Sequence, residues 1–443
     1  MDTIPFDTAP FLMNLKIEAL NAMQQAVLEA AEQHPNVVVL ANTGSGKTIA
    51  FLLPILQRMQ PDVKHTQALV VAPSRELALQ IEEVFKKMGT GYKVTCCYGG
   101  HKRETEENNL QEAPSLIVGT AGRLADHIRR GNIATDGITT LVLDEFDKSL
   151  ELGFEEEMAF IIGSLKNVTH KMLTSATVAA EMPDFLNLDK PHTLNYIVPG
   201  AQATESRLGV QVLHTDDVDK IGTLFNLLCH INNKPTIVFC NHRDAVERTS
   251  TLLKDKGIFN VFYHGGMEQR DRETALCKFK NGTSTVLITT DLASRGLDIA
   301  KVRYVVHYHL PASEDVFTHR NGRTARMEDF GTAILLLAPD ETMPDWITGE
   351  TETIQLPDTA VLPDKTKWTT LFIAAGKKDK VNKIDIVGFL SNRGKLKKDD
   401  IGIVEVKDFF SFAAVVKSKV GHVLELIKDQ KIKNKKVKIA VAR

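Results

Sequence analysis

The sequence predicts an α/β protein: two tandem parallel-sheet domains followed by a small α+β domain. Three observations carry that expectation. Short apolar runs alternate with helical stretches through roughly the first 340 residues. The alternation restarts near Thr236, after a segment holding Pro199 and Gly200. The tail then changes both its order of elements and its charge. A chain of 443 residues has room for two to four such domains.

In the first series, strands are expected at Val37–Leu40, Ala68–Ala72, Leu116–Val118, Thr140–Leu143 and Lys171–Thr174. Helices are expected between them, as at 75–88 and 154–165. Buried runs separated by helices argue for a parallel sheet covered on both faces. The second series runs through 236–239, 261–263, 286–289, 303–307 and 333–337. In the tail, 370–374, 401–406, 410–416 and 436–441 read as strands, with helices over 384–390 and 420–428. The order β-α-β-β-α-β is the split βαβ arrangement of an RRM. The expected domains are 1–198, 207–345 and 367–443, with a linker over 346–366.

The formal net charge is −2, but it is unevenly divided. Residues 365–443 hold 20 Lys and Arg against 8 Asp and Glu, a net of +12; the rest of the chain carries −14. A basic module on an acidic body suggests a polyanion partner. The five cysteines, Cys96, Cys97, Cys229, Cys240 and Cys277, lack metal-ligand spacing. They read as reduced, buried thiols of a cytoplasmic protein. No apolar run of about 18 residues is present, so no transmembrane helix is expected. The N-terminus, with Asp2, Asp7 and Glu18, does not read as a signal peptide.

Ala41-Asn-Thr-Gly-Ser-Gly-Lys-Thr48 follows a strand and opens a helix, the context of a P-loop. The amides of Gly44, Ser45 and Gly46 can wrap phosphates, where a Cβ would block close approach. Lys47 can reach the β- and γ-phosphates, and Thr48 can ligate Mg²⁺. Asp144-Glu145-Phe146-Asp147 ends a buried strand, where a parallel sheet presents catalytic groups. There Asp144 would hold Mg²⁺ through water and Glu145 would activate the attacking water. His319-Arg320-Asn321-Gly322-Arg323-Thr324-Ala325-Arg326 reads as a helix-starting segment suited to phosphate charge, with Arg323 and Arg326 as arginine fingers.

In chain order these residues resemble the DEAD-box family of superfamily 2 RNA helicases. The resemblance spans residues 24–326. Pro73-Ser74-Arg75-Glu76-Leu77-Ala78 resembles motif Ia, and Gly99-Gly100 with Thr120-Ala121-Gly122-Arg123 resembles the GG and Ib elements. Ser175-Ala176-Thr177 resembles motif III. Phe239 lies in a motif IV-like stretch, followed by the matching His264-Gly265, Gln269 and Arg272. Thr290-Asp291-Leu292-Ala293-Ser294-Arg295-Gly296-Leu297-Asp298 resembles motif V.

The resemblance implies two RecA-like domains, ATP and Mg²⁺ as cofactors, and RNA as partner. ATP would be held by Gln24, by Thr43 through Thr48, and by Asp298. Lys47, Asp144, Glu145, Arg323 and Arg326 would be catalytic. Ser175 and Thr177, with Asp147 and His319, would couple hydrolysis to unwinding. Arg75, Gly100, Thr120, Arg123, Gln269, Arg272, Thr290 and Arg295 would face the RNA backbone, without reading sequence. The family is usually monomeric and separates short duplexes locally.

The sequence departs from the family in four places. Phe146 stands where the family has Ala, and Ser74 and Ala121 stand where it favours Thr and Pro. Gln24 has the expected spacing to Lys47 for reading adenine, but the preceding Pro is missing and the upstream aromatic is either Phe6 or Phe11.

Residues from about Thr369 to Arg443 resemble the RRM-like domain of the DbpA subfamily. Ala375-Gly376-Lys377-Lys378-Asp379-Lys380, Asp385-Ile386-Val387-Gly388 and Asp408-Phe409-Phe410-Ser411-Phe412 carry the likeness. It implies targeting to structured RNA, notably large-subunit ribosomal RNA, with Lys377, Lys378 and Lys380 supplying backbone contacts. Phe410 and Phe412 share one strand face and either stack bases or pack in the core. Two other functions remain open: an ATP-dependent RNA clamp that does not unwind, motivated by Phe146 and the incomplete adenine-reading motif around Gln24, and a DNA helicase, which the motif spellings disfavour.

Overall fold

The computed structural model describes residues 6–42, 44–100, 103–177, 182–197, 208–293, 302–324, 331–347, 351–357, 359–433 and 435–442. They fall into two units divided near residue 202.

The first unit is a seven-stranded sheet of β1 (Asn36–Ala41), β2 (Ala68–Ala72), β3 (Val94–Cys97), β4 (Leu116–Thr120), β5 (Thr140–Leu143), β6 (His170–Ser175) and β7 (His192–Tyr196). The strand order is β3-β4-β2-β5-β6-β1-β7, and every pairing is parallel. Alternation of side chains along each strand splits the core in two. Val37, Val39, Val70 and Val118 pack with Phe51, Leu53, Ile81 and Phe85. Val38, Leu40, Leu69 and Ile117 pack on the other face with Leu124 and Ile161.

The expected strands are all present. The sequence did not signal β3 and β7, and both lie at sheet edges. An edge strand is only partly covered, so it needs no continuous apolar run; β7 reads His-Thr-Leu-Asn-Tyr.

The second unit repeats the plan. β8 (Leu208–His214), β9 (Thr236–Phe239), β10 (Val261–Tyr263), β11 (Val286–Thr289), β12 (Tyr304–His307), β13 (Gly331–Leu337) and β14 (Glu352–Thr353) form a parallel sheet in the order β10-β11-β9-β12-β13-β8-β14. In both sheets the strand order reverses beside the first strand of the α/β series, and such reversals open a crevice at the C-terminal strand ends.

The same unit carries a four-stranded antiparallel sheet of β15 (Trp368–Ile373), β16 (Ile401–Val406), β17 (Ser411–Val416) and β20 (Ile439–Val441), ordered β16-β17-β15-β20. A small hairpin of β18 (Lys431–Ile432) and β19 (Lys435–Lys436) precedes the last strand. Helices Lys383–Asn392 and Val420–Ile427 cover one face through Ile386, Leu390 and Val423.

The other face docks on the helix Gln269–Lys280 and the turn that follows it. Phe412 is 0% exposed and packs with Cys277 and Ala442. The Thr370 and Thr283 hydroxyls are 2.8 Å apart, and the Arg270 guanidinium lies 4.6 Å from the Phe372 ring centre. Phe410 is half-buried against Phe372 and Phe412. Of the two readings left open for Phe410 and Phe412, the structure shows packing.

Candidate functional site

The P-loop leaves the C-terminal end of β1 and enters the helix Lys47–Arg58. Gly46 has φ +91°, and a Cβ there would meet the Gln24 amide nitrogen at 2.5 Å. Only glycine gives both the left-handed backbone and the clearance. Gln24 is buried, and both ends of its amide are engaged by the protein. Its Nε2 donates to the Gly46 carbonyl at 3.2 Å, and its Oε1 accepts from the Asn21 amide at 3.0 Å. Asn21 caps the helix Ala22–Gln33 and donates from Nδ2 to the Ser45 carbonyl at 3.0 Å. Asn21 is thus a P-loop brace that sequence reasoning missed, although Asn-x-x-Gln is a capping-box spacing.

Lys47 is buried, and its ammonium donates to the Asn42 carbonyl at 3.2 Å and also to the Ala41 carbonyl. Ser45 Oγ is buried without a hydrogen-bond partner, an orphaned polar atom at the loop's mouth. Thr48 is half-buried in the first turn of the helix. Lys47 and the Ser45 and Thr48 side chains thus bring one cation and two hydroxyls to the loop, chemistry fit for a polyphosphate. Thr43 lies outside the described residues.

β6 stands beside β1 and β5 beside β6, so their C-terminal ends bring the acidic cluster and Ser175-Ala176-Thr177 to the same edge of the sheet. Asp144 is buried; its carboxylate accepts from the Thr174 hydroxyl, which in turn accepts the Glu145 amide at 3.0 Å. Burial pushes the Asp144 carboxyl above the usual range, while the Thr174 hydrogen bond and the Lys47 charge pull it down. The Asp144 carboxylate and the Thr48 hydroxyl offer the oxygen ligands that Mg²⁺ takes. Glu145 sits at φ +47°, which turns the chain sharply into the helix Phe146–Glu151.

Thr177 Oγ1 donates to Asp147 Oδ2 at 3.0 Å, and Ser175 Oγ donates to the Thr177 carbonyl at 2.6 Å. The serine, the threonine and Asp147 therefore form one chain of hydrogen bonds. Phe146 points the opposite way into the apolar cluster with Leu141, Leu143 and Ile161. The departure from alanine is a change in the core.

Arg75, Gly99, Gly100 and Arg123 come together. Gly100 has φ +98°, and a Cβ there would fall 2.2 Å from Arg75 Nη1. Gly99 is flanked by both guanidiniums. Thr120 is the N-cap residue of the helix Ala121–Arg129, which carries Arg123 in its first turn.

In the second unit, Arg272 donates to Gln269 Oε1 at 2.6 Å, and Thr290 follows β11 half-buried. The segment around Gly322 corrects one expectation. The helix is Glu314–Asn321, so it ends there rather than starts, with Gly322 as its C-cap. His319 and Arg320 occupy its last turn, and Arg323 follows. Arg320 is wholly buried: it pairs with both Asp291 oxygens and donates to the His309 carbonyl and to Asn241 Oδ1, each at 2.8 Å. This internal lock was not legible as distinct from its neighbours Arg323 and Arg326. His319 and Arg323 are also buried. Arg295, Asp298 and Arg326 lie outside the described residues.

At one end of the antiparallel sheet, the Lys377 and Lys378 amides donate to the Lys407 and Asp408 carbonyls at 2.9 and 2.8 Å. A Cβ on Gly376 would lie 2.3 Å from the Lys407 carbonyl oxygen. This close approach sets Lys377, Lys378 and Lys380 exposed beside Phe409, which is 57% exposed. Lys433 and Lys435 adjoin them, pairing with Asp385 and Asp379.

Residues 21–185 match the DEAD/DEAH box helicase family, 219–328 the helicase conserved C-terminal domain, and 370–441 the DbpA RNA binding domain. ATP-dependent RNA helicase DbpA from Bacillus subtilis (strain 168) is 30% identical over 447 residues, spanning 94% of this chain and 93% of its own. The protein of the same name from Escherichia coli (strain K12) is 32% identical over 433 residues, spanning 96% and 94%. Among solved structures, S. cerevisiae Dbp5 bound to RNA and ADP BeF3 shares 25% identity with a TM-score of 0.67, covering 80% of this chain and 94% of that one. Mss116p (NTE and C-tail double deletion) bound to ssRNA and AMP-PNP shares 26% with a TM-score of 0.68, covering 79% and 77%. The chain belongs to the DEAD-box ATP-dependent RNA helicases, RNA-stimulated ATPases, and carries a DbpA RNA-binding domain after its two parallel-sheet domains.

Proposed function

We propose that this helicase remodels structured ribosomal RNA during large-subunit assembly, as a cytoplasmic monomer, and that the basic end of its third domain selects the substrate. The observation that carries this reading is the division of the antiparallel sheet. One flank is spent on the helix Gln269–Lys280, while the end bearing Lys377, Lys378, Lys380 and Phe409 stays exposed. Lysines would hold phosphates, and an exposed phenylalanine offers a face to an unpaired base.

In the engine, the Gly44, Ser45 and Gly46 amides and Lys47 hold the phosphates, and Glu145 orients and deprotonates water. Mg²⁺, held by Thr48 and Asp144, supplies charge neutralisation at the phosphate oxygens when bound. Gln24 reads adenine by turning its amide from the Gly46 carbonyl. Arg323 and Arg326 stabilise charge developing on the γ-phosphoryl group, and Asp298 meets the ribose. The Ser175–Thr177–Asp147 chain and His319 carry the nucleotide state to the RNA-facing groups Arg75, Gly100, Thr120, Arg123, Gln269, Arg272, Thr290 and Arg295. A strand-separation assay on a short duplex distinguishes this helicase from a clamp that hydrolyses ATP without releasing a strand.

The test compares ATPase stimulation by ribosomal RNA, unrelated structured RNA and DNA. Cutting the chain near Pro363 would uncover Cys277 and its neighbours, so charge reversal in the full chain is cleaner. K377E/K378E should erase the preference for ribosomal RNA, and F409A should weaken it roughly tenfold. Equal stimulation by every RNA in the unaltered chain would contradict the targeting claim.

A further inference from the structure

Glu106 is 1% exposed, and a buried carboxylate is costly unless its oxygens are satisfied. Its oxygens are divided between two neighbouring segments. Oε1 accepts the Tyr98 amide at 2.7 Å, immediately before Gly99-Gly100. Oε2 accepts from Arg123 Nη1 at 3.0 Å and faces His127 Nε2 at 2.7 Å. The Asn132 amide nitrogen lies 3.1 Å from His127 Nδ1. An amide NH₂ only donates, so Nδ1 accepts, and Nε2 carries the hydrogen given to Glu106.

Cys97, Glu106 and His127 place their ligand atoms within 4.8 Å of one another, a spacing a metal ion could use. The chemistry points elsewhere. Oε2 already takes two donors, and the adjoining guanidinium would repel a dication. The group is an ion-pair and hydrogen-bond network with Arg123 at its outer edge.

Two guanidiniums, Arg75 and Arg123, flank the Gly99-Gly100 turn and repel each other there. We propose that Glu106 is a positioning residue for RNA binding: one buried carboxylate ties the glycine turn to Arg123 and offsets the charge that gathers around it. Holding Arg123 by Nη1 leaves its remaining donors in a fixed direction for a phosphate. The inference rests on the reading that Arg123 faces RNA.

The test is a double-mutant cycle on the full chain, using E106Q, R123A and E106Q/R123A, read as RNA-stimulated ATPase against RNA concentration. The E106Q side chain would keep an acceptor for the Tyr98 amide but lose the charge that holds Arg123. E106Q and R123A should each raise half-saturating RNA roughly tenfold, with little change in rate at saturation, and the double variant should go no further. A merely structural role would lower the saturated rate and the melting temperature, and the two losses would multiply; that result overturns the proposal. So does an unchanged half-saturation in E106Q beside a raised one in R123A. An unchanged R123A would refute the RNA-facing reading itself. If E106Q does not fold, E106D, which shortens the reach to Arg123, gives the same cycle.

Discussion

Lys47 and Arg320 are buried cations, one opening a helix of the first unit and one closing a helix of the second, and they are held in opposite ways. Lys47 donates to two carbonyls of its own loop. Arg320 is gripped by the Asp291 carboxylate, a carbonyl and an amide oxygen, and lies 5.1 Å from the Phe239 ring centre. A carbonyl is a neutral acceptor that a phosphate can outbid, whereas a bidentate carboxylate pair is a strong, directional bond. The first unit therefore holds its cation through neutral carbonyls close to the Asp144 carboxyl, and the second locks its own in a bidentate carboxylate pair. Buried charge alone does not mark a catalytic residue; its partners decide.

The largest expected effect breaks the first half of that comparison. K47A should lower RNA-stimulated ATPase on the order of a thousandfold, with little change in melting temperature, measured by phosphate release and thermal denaturation. R320M breaks the second half. Removing one partner of a buried pair costs about 3–5 kcal/mol, so the second unit should unfold at lower urea while nucleotide binding by the first persists. F146A restores the family's residue, yet should destabilise the first unit by about 3–5 kcal/mol through a cavity; unchanged stability in a urea titration would mean the ring does not pack as described.

The smallest effect is a pH slope. Burial, then the Arg320 charge, push His307 down to about 3, while Asn321 pulls the other way. The unfolded chain takes up this proton below about pH 6.5 and the folded one does not, so stability falls as pH drops from there toward 3, by up to about 1.4 kcal/mol per unit. Urea midpoints of H307Q should flatten that slope between pH 6 and 4.

Much of this was legible in the sequence. Interior strands such as Val37–Leu40 and Thr236–Phe239 are continuous apolar runs because both faces are covered. The motifs stand out because phosphate chemistry demands glycine, lysine and acidic side chains at fixed spacing. What was not legible depends on neighbours distant in sequence. Phe410 and Phe412 alternate as base-stacking residues would, and only the approach of Cys277 decides their burial. Arg320 and Arg323 look alike in sequence, and Asp291 distinguishes Arg320. Glu106 reads as one acid in a polar helix until Arg123 and His127 fold over it.

The comparison is tested most directly by measuring fluorescent-ATP affinity and urea stability together on K47A and R320M. K47A is expected to lose nucleotide affinity and keep its unfolding midpoint, and R320M to keep nucleotide affinity and lose its midpoint. A K47A chain that unfolds early, or an R320M chain as stable as the unaltered one, would contradict it.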